Sequence, residues 1–262
     1  VVRADYNDLN SLVTACNNAD GVFFTHPMFE DAIHGNDHIA RVGEAAKKAG
    51  VKRLVYNTSS FVPDTPCGEP NYDGNQIREN IFAASGVPLT VIRPVLFMDN
   101  LLTNWVKPGL INDGRYRYPH EPTMKANWIC LDDVARFMIA ALNRDDLIGE
   151  RIVIGGPEAL LPDEVASTLS QAIGKAITFE YVTPRHYGEL MYDLFSDVSP
   201  LSREEYAQAL EAFYIYNNKN NGRAFLVDMK PILERIPIEL TPLAQWAKEQ
   251  DWVLRDDGPS GG

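Results

Sequence analysis

Three short stretches carry residue types that bind and orient ligands, and each follows an apolar run. They are Thr25-His26-Pro27, Asn57-Thr58-Ser59-Ser60 and Pro94-Val95-Leu96-Phe97. Hydroxyl, amide and imidazole groups supply hydrogen bonds, while Pro and Phe supply flat apolar surface for stacking a planar ring. A plainer use stays open, because Asn, Thr and Ser also cap helices that follow strands. His26 either hydrogen-bonds a ligand or is an ordinary loop histidine. His34 and His38 have the i, i+4 spacing of a metal pair, but no third ligand is near in sequence, so solvated helix residues are expected and no metal site. Cys16, Cys67 and Cys130 are far apart, with no C-x-x-C among them. Asp132-Asp133 open an apolar helix, where acids suit the positive end of the dipole.

These groups need strands and helices to hold them. Apolar runs predict strands at residues 1–4, 21–25, 51–57, 89–93, 151–154 and 177–182. The 21–25 strand reads as buried. Helical periodicity predicts helices at 7–18, 31–50 (stopped by Gly50), 76–85, 131–143, 162–173 and 204–216. Residues 67–74 read as a Gly/Pro-rich loop holding Tyr72, and 217–222 as a polar loop. Tyr116 and Tyr118 read as a structural hairpin. Strand and helix alternating at this spacing predict βαβ units and a parallel sheet. In such a sheet ligands sit outside the carboxyl ends of the strands, where the three stretches fall.

Composition narrows the function classes. The chain has 262 residues, 45% hydrophobic and 23% charged, ordinary for a folded protein. Lys and Arg number 24 against 36 Asp and Glu, a net charge of -12. Such an acidic balance repels phosphate backbones, so no nucleic-acid partner is expected. No apolar run reaches the roughly 18 residues of a membrane span, so no membrane partner is expected either. Few, separated cysteines suit a reducing compartment, and a cytoplasmic location is expected. A homo-oligomer stays open.

Longer motifs carry a family resemblance. Ala4-Asp5 is followed by Asp8 and Leu12, then Gly21-Val22-Phe23-Phe24. Ala45 leads into Ala49-Gly50-Val51-Lys52-Arg53-Leu54-Val55-Tyr56-Asn57-Thr58-Ser59. The strongest stretch joins Glu79 to Gly86-Val87-Pro88-Leu89-Thr90-Val91-Ile92-Arg93-Pro94, with Phe97-Met98-Asp99-Asn100-Leu101 behind it. Trp128-Ile129, Asp132-Asp133-Val134-Ala135 and Gly155-Gly156-Pro157-Glu158 extend it. The chain resembles the NmrA-like branch of the atypical short-chain dehydrogenase/reductase superfamily. The resemblance implies an α/β, Rossmann-like, doubly wound parallel sheet with a smaller α+β C-terminal lobe. The division expected is 1–145 for the dinucleotide-binding domain, 146–255 for a substrate lobe with pocket wall from 100–128, and 256–262 for a flexible tail.

The resemblance also implies a cofactor, NADP with NAD as the alternative, and a small-molecule substrate. Thr25, His26 and Pro27 would face the nicotinamide ribose and pyrophosphate. Asn57, Thr58 and Ser59 would lie beside the nicotinamide, and Pro94, Val95, Leu96 and Phe97 would pack on its ring. Asp5 would sit near the adenine and Asn75 would join the cofactor contacts. Asn100, Trp105, Tyr118 and Trp128 would line the substrate pocket. Two family features are absent from the sequence. No G-x-x-G-x-x-G occurs, so about 50 further residues are expected ahead of Val1, for about 310 in all. The Tyr-x3-Lys pair is missing too: Tyr72 is followed by Gln76, and Asn75 stands where many relatives have Lys. With the Tyr–Lys proton relay gone, Tyr72 and His26 are the weak catalytic candidates. The expected activity is hydride transfer to a conjugated acceptor such as a quinone, which asks less of the protein. The alternatives are a non-catalytic NAD(P)H-sensing regulator and a tailoring reductase or epimerase-type enzyme of secondary metabolism.

Overall fold

A computed structural model describes residues 1–26, 32–219 and 223–254. Residues 27–31, which include Pro27, and the expected tail at 256–262 lie outside them. The chain runs α1 (Leu9–Cys16), β1 (Gly21–Thr25), α2 (Ala32–Lys48), β2 (Arg53–Asn57), α3 (Pro70–Ala84) and β3 (Leu89–Pro94). It continues with β4 (Arg115–Tyr118), β5 (Ala126–Asn127), α4 (Leu131–Leu142), β6 (Arg151–Ile154), β7 (Ala159–Leu160), α5 (Pro162–Ile173) and β8 (Thr178–Tyr181). Helices α6 (Pro184–Phe195), α7 (Arg203–Lys219), α8 (Lys230–Arg235) and α9 (Leu243–Glu249) follow.

The central sheet is parallel throughout, in the order β1-β2-β3-β6. Every residue of β2 and β3 is buried, the expected signature of strands covered on both faces. Leu54 and Tyr56 point into one apolar layer with Leu12, Ile39, Val42 and Phe82. Val55 points into the opposite layer with Ile92, Val134, Phe137 and Ile154. The parallel α/β architecture is thus the one expected. β6 lies beyond the expected division at 145/146 and pairs with β3, so the main sheet draws its fourth strand from there.

Several local expectations are corrected. Residues 1–4 form no strand, since they join no ladder among the described residues. β1 is not buried along its length: Phe24 is, but Phe23 is 49% exposed because β1 pairs on one side only among the described strands. Helix α3 begins at Pro70 instead of residue 76. Proline is well suited to the first helical turn, and the Glu69 carboxylate accepts from the Tyr72 N–H at 3.0 Å as a cap. Tyr72 is therefore a helix residue and not a loop residue. Tyr116 and Tyr118 belong to no hairpin, because β4 pairs in parallel with the distant β8. The polar run after Tyr216 is no loop at its start, since Asn217 to Lys219 continue α7 and Asn217 is fully buried.

The second body of apolar packing lies among the later elements. It gathers Tyr116, Tyr118, Trp128, Leu169, Tyr187, Tyr214, Leu243 and Trp246. Helices α6 and α7 pack tightly there, because a side chain at Gly188 would come within 2.9 Å of the Ala207 backbone. Gly50 stops α2 with φ at 73°, a conformation that glycine adopts freely.

One buried ion network ties helix to sheet. Glu79 of α3 accepts from Arg93 Nε at 2.8 Å and Nη2 at 2.7 Å, a fork-to-fork pair, and from Arg151 Nε at 2.9 Å. Arg93 also reaches Asp64 at 3.0 Å. Every charged group at the centre of this cluster therefore has a partner, as burial demands.

Candidate functional site

Register brings the three strand ends together. Thr25 pairs with Asn57 across β1 and β2, and Asn57 pairs with Ile92 across β2 and β3. Thr25, Asn57 and Pro94 therefore reach the same carboxyl edge of neighbouring strands. Thr25 is exposed and His26 half-buried.

The loop after β2 is held by its own side chains. Asn57 Oδ1 accepts from the Ser59 N–H at 2.9 Å, and Thr58 Oγ1 donates to the Ser60 carbonyl at 2.6 Å. Ser59 sits exposed with φ at 57°, an αL conformation uncommon for a side-chain-bearing residue. Backbone held this way tends to occur where a group is aimed. The capping use left open for Asn57 to Ser59 does not apply, because α3 starts only at Pro70 and Glu69 caps it.

Helix α3 braces that loop. Asn75 Nδ2 donates to Ser60 Oγ at 2.7 Å, and Gln76 Nε2 donates to the Pro63 carbonyl at 3.0 Å. Arg78 Nη1 in turn donates to Asn75 Oδ1 at 3.0 Å. Asn75 is thus beside the strand-end loop. Ser60 belongs to the stretch read from the sequence, but Arg78 was not expected there. Arg78 has no sequence signal of its own beyond standing one helical turn after Asn75.

Tyr72 is placed differently. It is fully buried, its hydroxyl donates to Asn217 Oδ1 of α7 at 3.0 Å, and Phe61, Phe213 and Tyr216 surround its ring. Burial pushes its hydroxyl well above the ordinary tyrosine range. A hydroxyl so enclosed is a strut between α3 and α7, poorly placed to donate a proton to a ligand.

Toward the later elements, Val95 and Leu96 turn into the second apolar body, while Phe97 stays half-buried. In the next turn Asp99 is structural, since its carboxylate accepts the Leu131 N–H at the start of α4, at 3.0 Å. Burial raises the Asp99 carboxyl. Asn100 is half-buried and hydrogen-bonds the Tyr118 hydroxyl, which also meets Tyr187 and Tyr214. Tyr118 and Trp128 are each 2% exposed, with ring centroids 5.9 Å apart, and Trp105 packs on Phe195. Of the four expected pocket residues, Asn100 and Trp105 keep some exposure, and Tyr118 and Trp128 stand behind them.

His120 completes this aromatic group. It is 2% exposed, its Nε2 has no hydrogen-bond partner, and burial pushes its imidazole down to about 3. It is therefore neutral at any ordinary pH.

Other candidates fall elsewhere. Asp5 is exposed and accepts the Asn7 N–H in the turn before α1. His38 is no solvated helix residue: it is 8% exposed and stacks on Tyr6 at 5.0 Å. Asp133 is fully buried and accepts from the Thr241 N–H at 2.7 Å, so it docks the chain ahead of α9. No group of three or more metal-ligating residues occurs among the described residues, and no helix there is long and apolar enough to cross a membrane. A cleft of about 680 Å³ opens beside Asn127, Val227, Lys230 and Leu233, and contains none of the expected site residues.

Known proteins share this sequence and shape. The chain is 35% identical over 184 residues to a (4-alkanoyl-5-oxo-2,5-dihydrofuran-3-yl)methyl phosphate reductase of Streptomyces griseus, covering 69% of this chain and 61% of that protein. It is 30% identical over 183 residues to an NAD(P)H azoreductase of Xenophilus azovorans, covering 68% of this chain and 60% of that one. The matched stretch spans about three fifths of the length of each relative. The triphenylmethane reductase of Citrobacter sp., solved with NADP(H), superposes with a TM-score of 0.73 at 20% identity, covering 94% of this chain and 81% of that one. The family model described as NmrA-like matches residues 1–246, and the chain belongs to the NmrA-like family.

Proposed function

We propose that the protein is an NAD(P)H-dependent reductase, with NADP the preferred cofactor and NAD the alternative, that passes hydride to a small conjugated acceptor such as a quinone. The observation that carries this reading is the register that sets Thr25, Asn57 and Pro94 on one carboxyl edge. The residues there suit the nicotinamide half of a dinucleotide. Thr25 and Ser59, with the Asn57 amide, offer hydrogen bonds, Phe97 offers an apolar flank, and the buried Thr58 and Pro94 back them. When bound, the cofactor supplies the hydride. Asn57 and Ser59 would fix the ring's orientation, and Asn100 and Trp105 would border the acceptor. With Tyr72 committed to Asn217, the proton that balances the hydride comes from water. The curated relatives, a phosphate-ester lactone reductase and an azoreductase, support a reductase. The proposed location is the cytoplasm, in keeping with three free cysteines.

Titrating the protein with NADPH and NADH while following fluorescence tests this reading. Saturable binding of at least one is expected, and its absence for both overturns it. The burial of Tyr72 and the absence of Lys at 75 and 76 favour a second reading, a dinucleotide-sensing regulator. Steady NADPH consumption with a panel of quinones would exclude that reading.

A further inference from the structure

Arg78 differs from the other arginines around the sheet. Arg53, Arg93, Arg136, Arg144 and Arg151 each meet a carboxylate within 4 Å. Arg78 makes no ion pair among the described residues. Its Nη1 donates to the neutral Asn75 carboxamide, and its Nε is buried with no acceptor. The residue is half-buried and its Nε fully so, and that nitrogen has lost its hydration without the side chain gaining a counter-charge.

A second group next to it is also unsatisfied. Tyr56 is fully buried, and its hydroxyl has no hydrogen-bond partner. Burial raises that hydroxyl, and the nearby charge of Arg78 works against the rise. Asn75 connects Arg78 to the strand-end loop through Ser60. Arg78 and Asn75 therefore stand beside the mouth with one uncompensated positive charge, and Tyr56 adds an unsatisfied hydroxyl behind them, in a chain whose net charge is -12. A neutral carbonyl would satisfy the donors but leave the charge. An oxyanion satisfies both, and the guanidinium fork matches phosphate geometry in particular.

We infer that Arg78, braced by Asn75 and Ser60, forms a subsite for a phosphate group of a ligand held at the strand-end mouth. The phosphate belongs either to the dinucleotide or to a phosphorylated acceptor, and for that identity the inference rests on the reductase reading. The subsite itself is testable without either.

Calorimetric titration with inorganic pyrophosphate compares the wild-type protein with Arg78→Gln, Arg78→Lys and Arg41→Gln. Arg41 is a control cation, held by the Tyr6 carbonyl and Asn7. Arg78→Gln is expected to weaken pyrophosphate binding about tenfold, Arg78→Lys by less, and Arg41→Gln not at all. NADPH binding and the KM values of a phosphorylated and a neutral acceptor then locate the source. Weaker NADPH binding assigns the phosphate to the cofactor. A raised KM confined to the phosphorylated acceptor assigns it to the substrate. A wild-type protein that does not bind pyrophosphate overturns the subsite, as does an Arg78→Gln variant that binds pyrophosphate, NADPH and the phosphorylated acceptor unchanged. Failure of the wild-type protein to bind either dinucleotide counts against the reductase reading alone, since the pyrophosphate comparison decides the subsite.

Discussion

Arg78 and Glu79 are neighbours on α3, yet they face opposite conditions. Glu79 is fully buried, and its two oxygens take Arg93 and Arg151 in a closed network. Arg78 has one neutral partner and a buried Nε with none. The first cluster neutralises its own charges and joins helix to sheet. The second holds unfilled hydrogen-bonding capacity at a strand-end mouth. On α3 the polar groups that satisfy one another join helix to sheet, while the guanidinium left without a counter-charge is where the proposed ligand group would fit.

The largest effect should come from breaking the closed cluster. Glu79→Gln leaves the buried Arg93 without its fork, and should cost about 3–5 kcal/mol in urea unfolding. A cost below about 1 kcal/mol would erase the contrast between the clusters. Next comes His120, an unsatisfied group in the second apolar body. Its folded-state pKa of about 3 lies below the unfolded value. Its neutral form therefore stabilises fully above about pH 6.5, and that contribution falls by up to about 1.4 kcal/mol per unit as pH drops from 6.5 toward 3. His120→Phe should abolish this acid-dependent loss, so that at pH 4.5 the variant gains about 2–3 kcal/mol relative to the wild-type protein. Parallel stability-against-pH curves would show that His120 is not buried as described.

Tyr72→Phe tests the strut. It leaves Asn217 Oδ1 buried without its donor and should cost about 1–2 kcal/mol. If water supplies the proton as proposed, the pH profile of kcat should keep its shape, and a lost limb would restore Tyr72 as an acid. The smallest stability effect belongs to Arg78→Gln, below about 1 kcal/mol, because the residue closes no network. A loss as large as that of Glu79→Gln would recast Arg78 as scaffold.

How legible these features were depends on their range. The apolar runs of β2 and β3 and the periodicity of α2, α4 and α5 are local, and residue pattern alone locates them. The first turns of α3 were hidden because Pro70 and Gly74 look like loop residues until Glu69 is seen capping the helix. Asp133 suggested a helix-end acid, while its partner Thr241 is remote in sequence. The mouth was legible through Thr25, Asn57 and Phe97, since strand ends follow from strands. Arg78 was not, because an arginine shows its value only through the carboxylate it lacks. His120 hid for a similar reason: burial by Tyr118, Trp128, Tyr214 and Phe225 depends on elements far along the chain.

The place of β6 has a consequence for the order of assembly. β3 can pair with β2 as soon as both exist, but its other edge stays bare until β6 is made, with β4, β5 and α4 synthesised in between. During synthesis on a ribosome that edge is an open template for any passing strand. The β3 edge is thus open to such pairing after β3 has emerged and until β6, ending at Ile154, covers it.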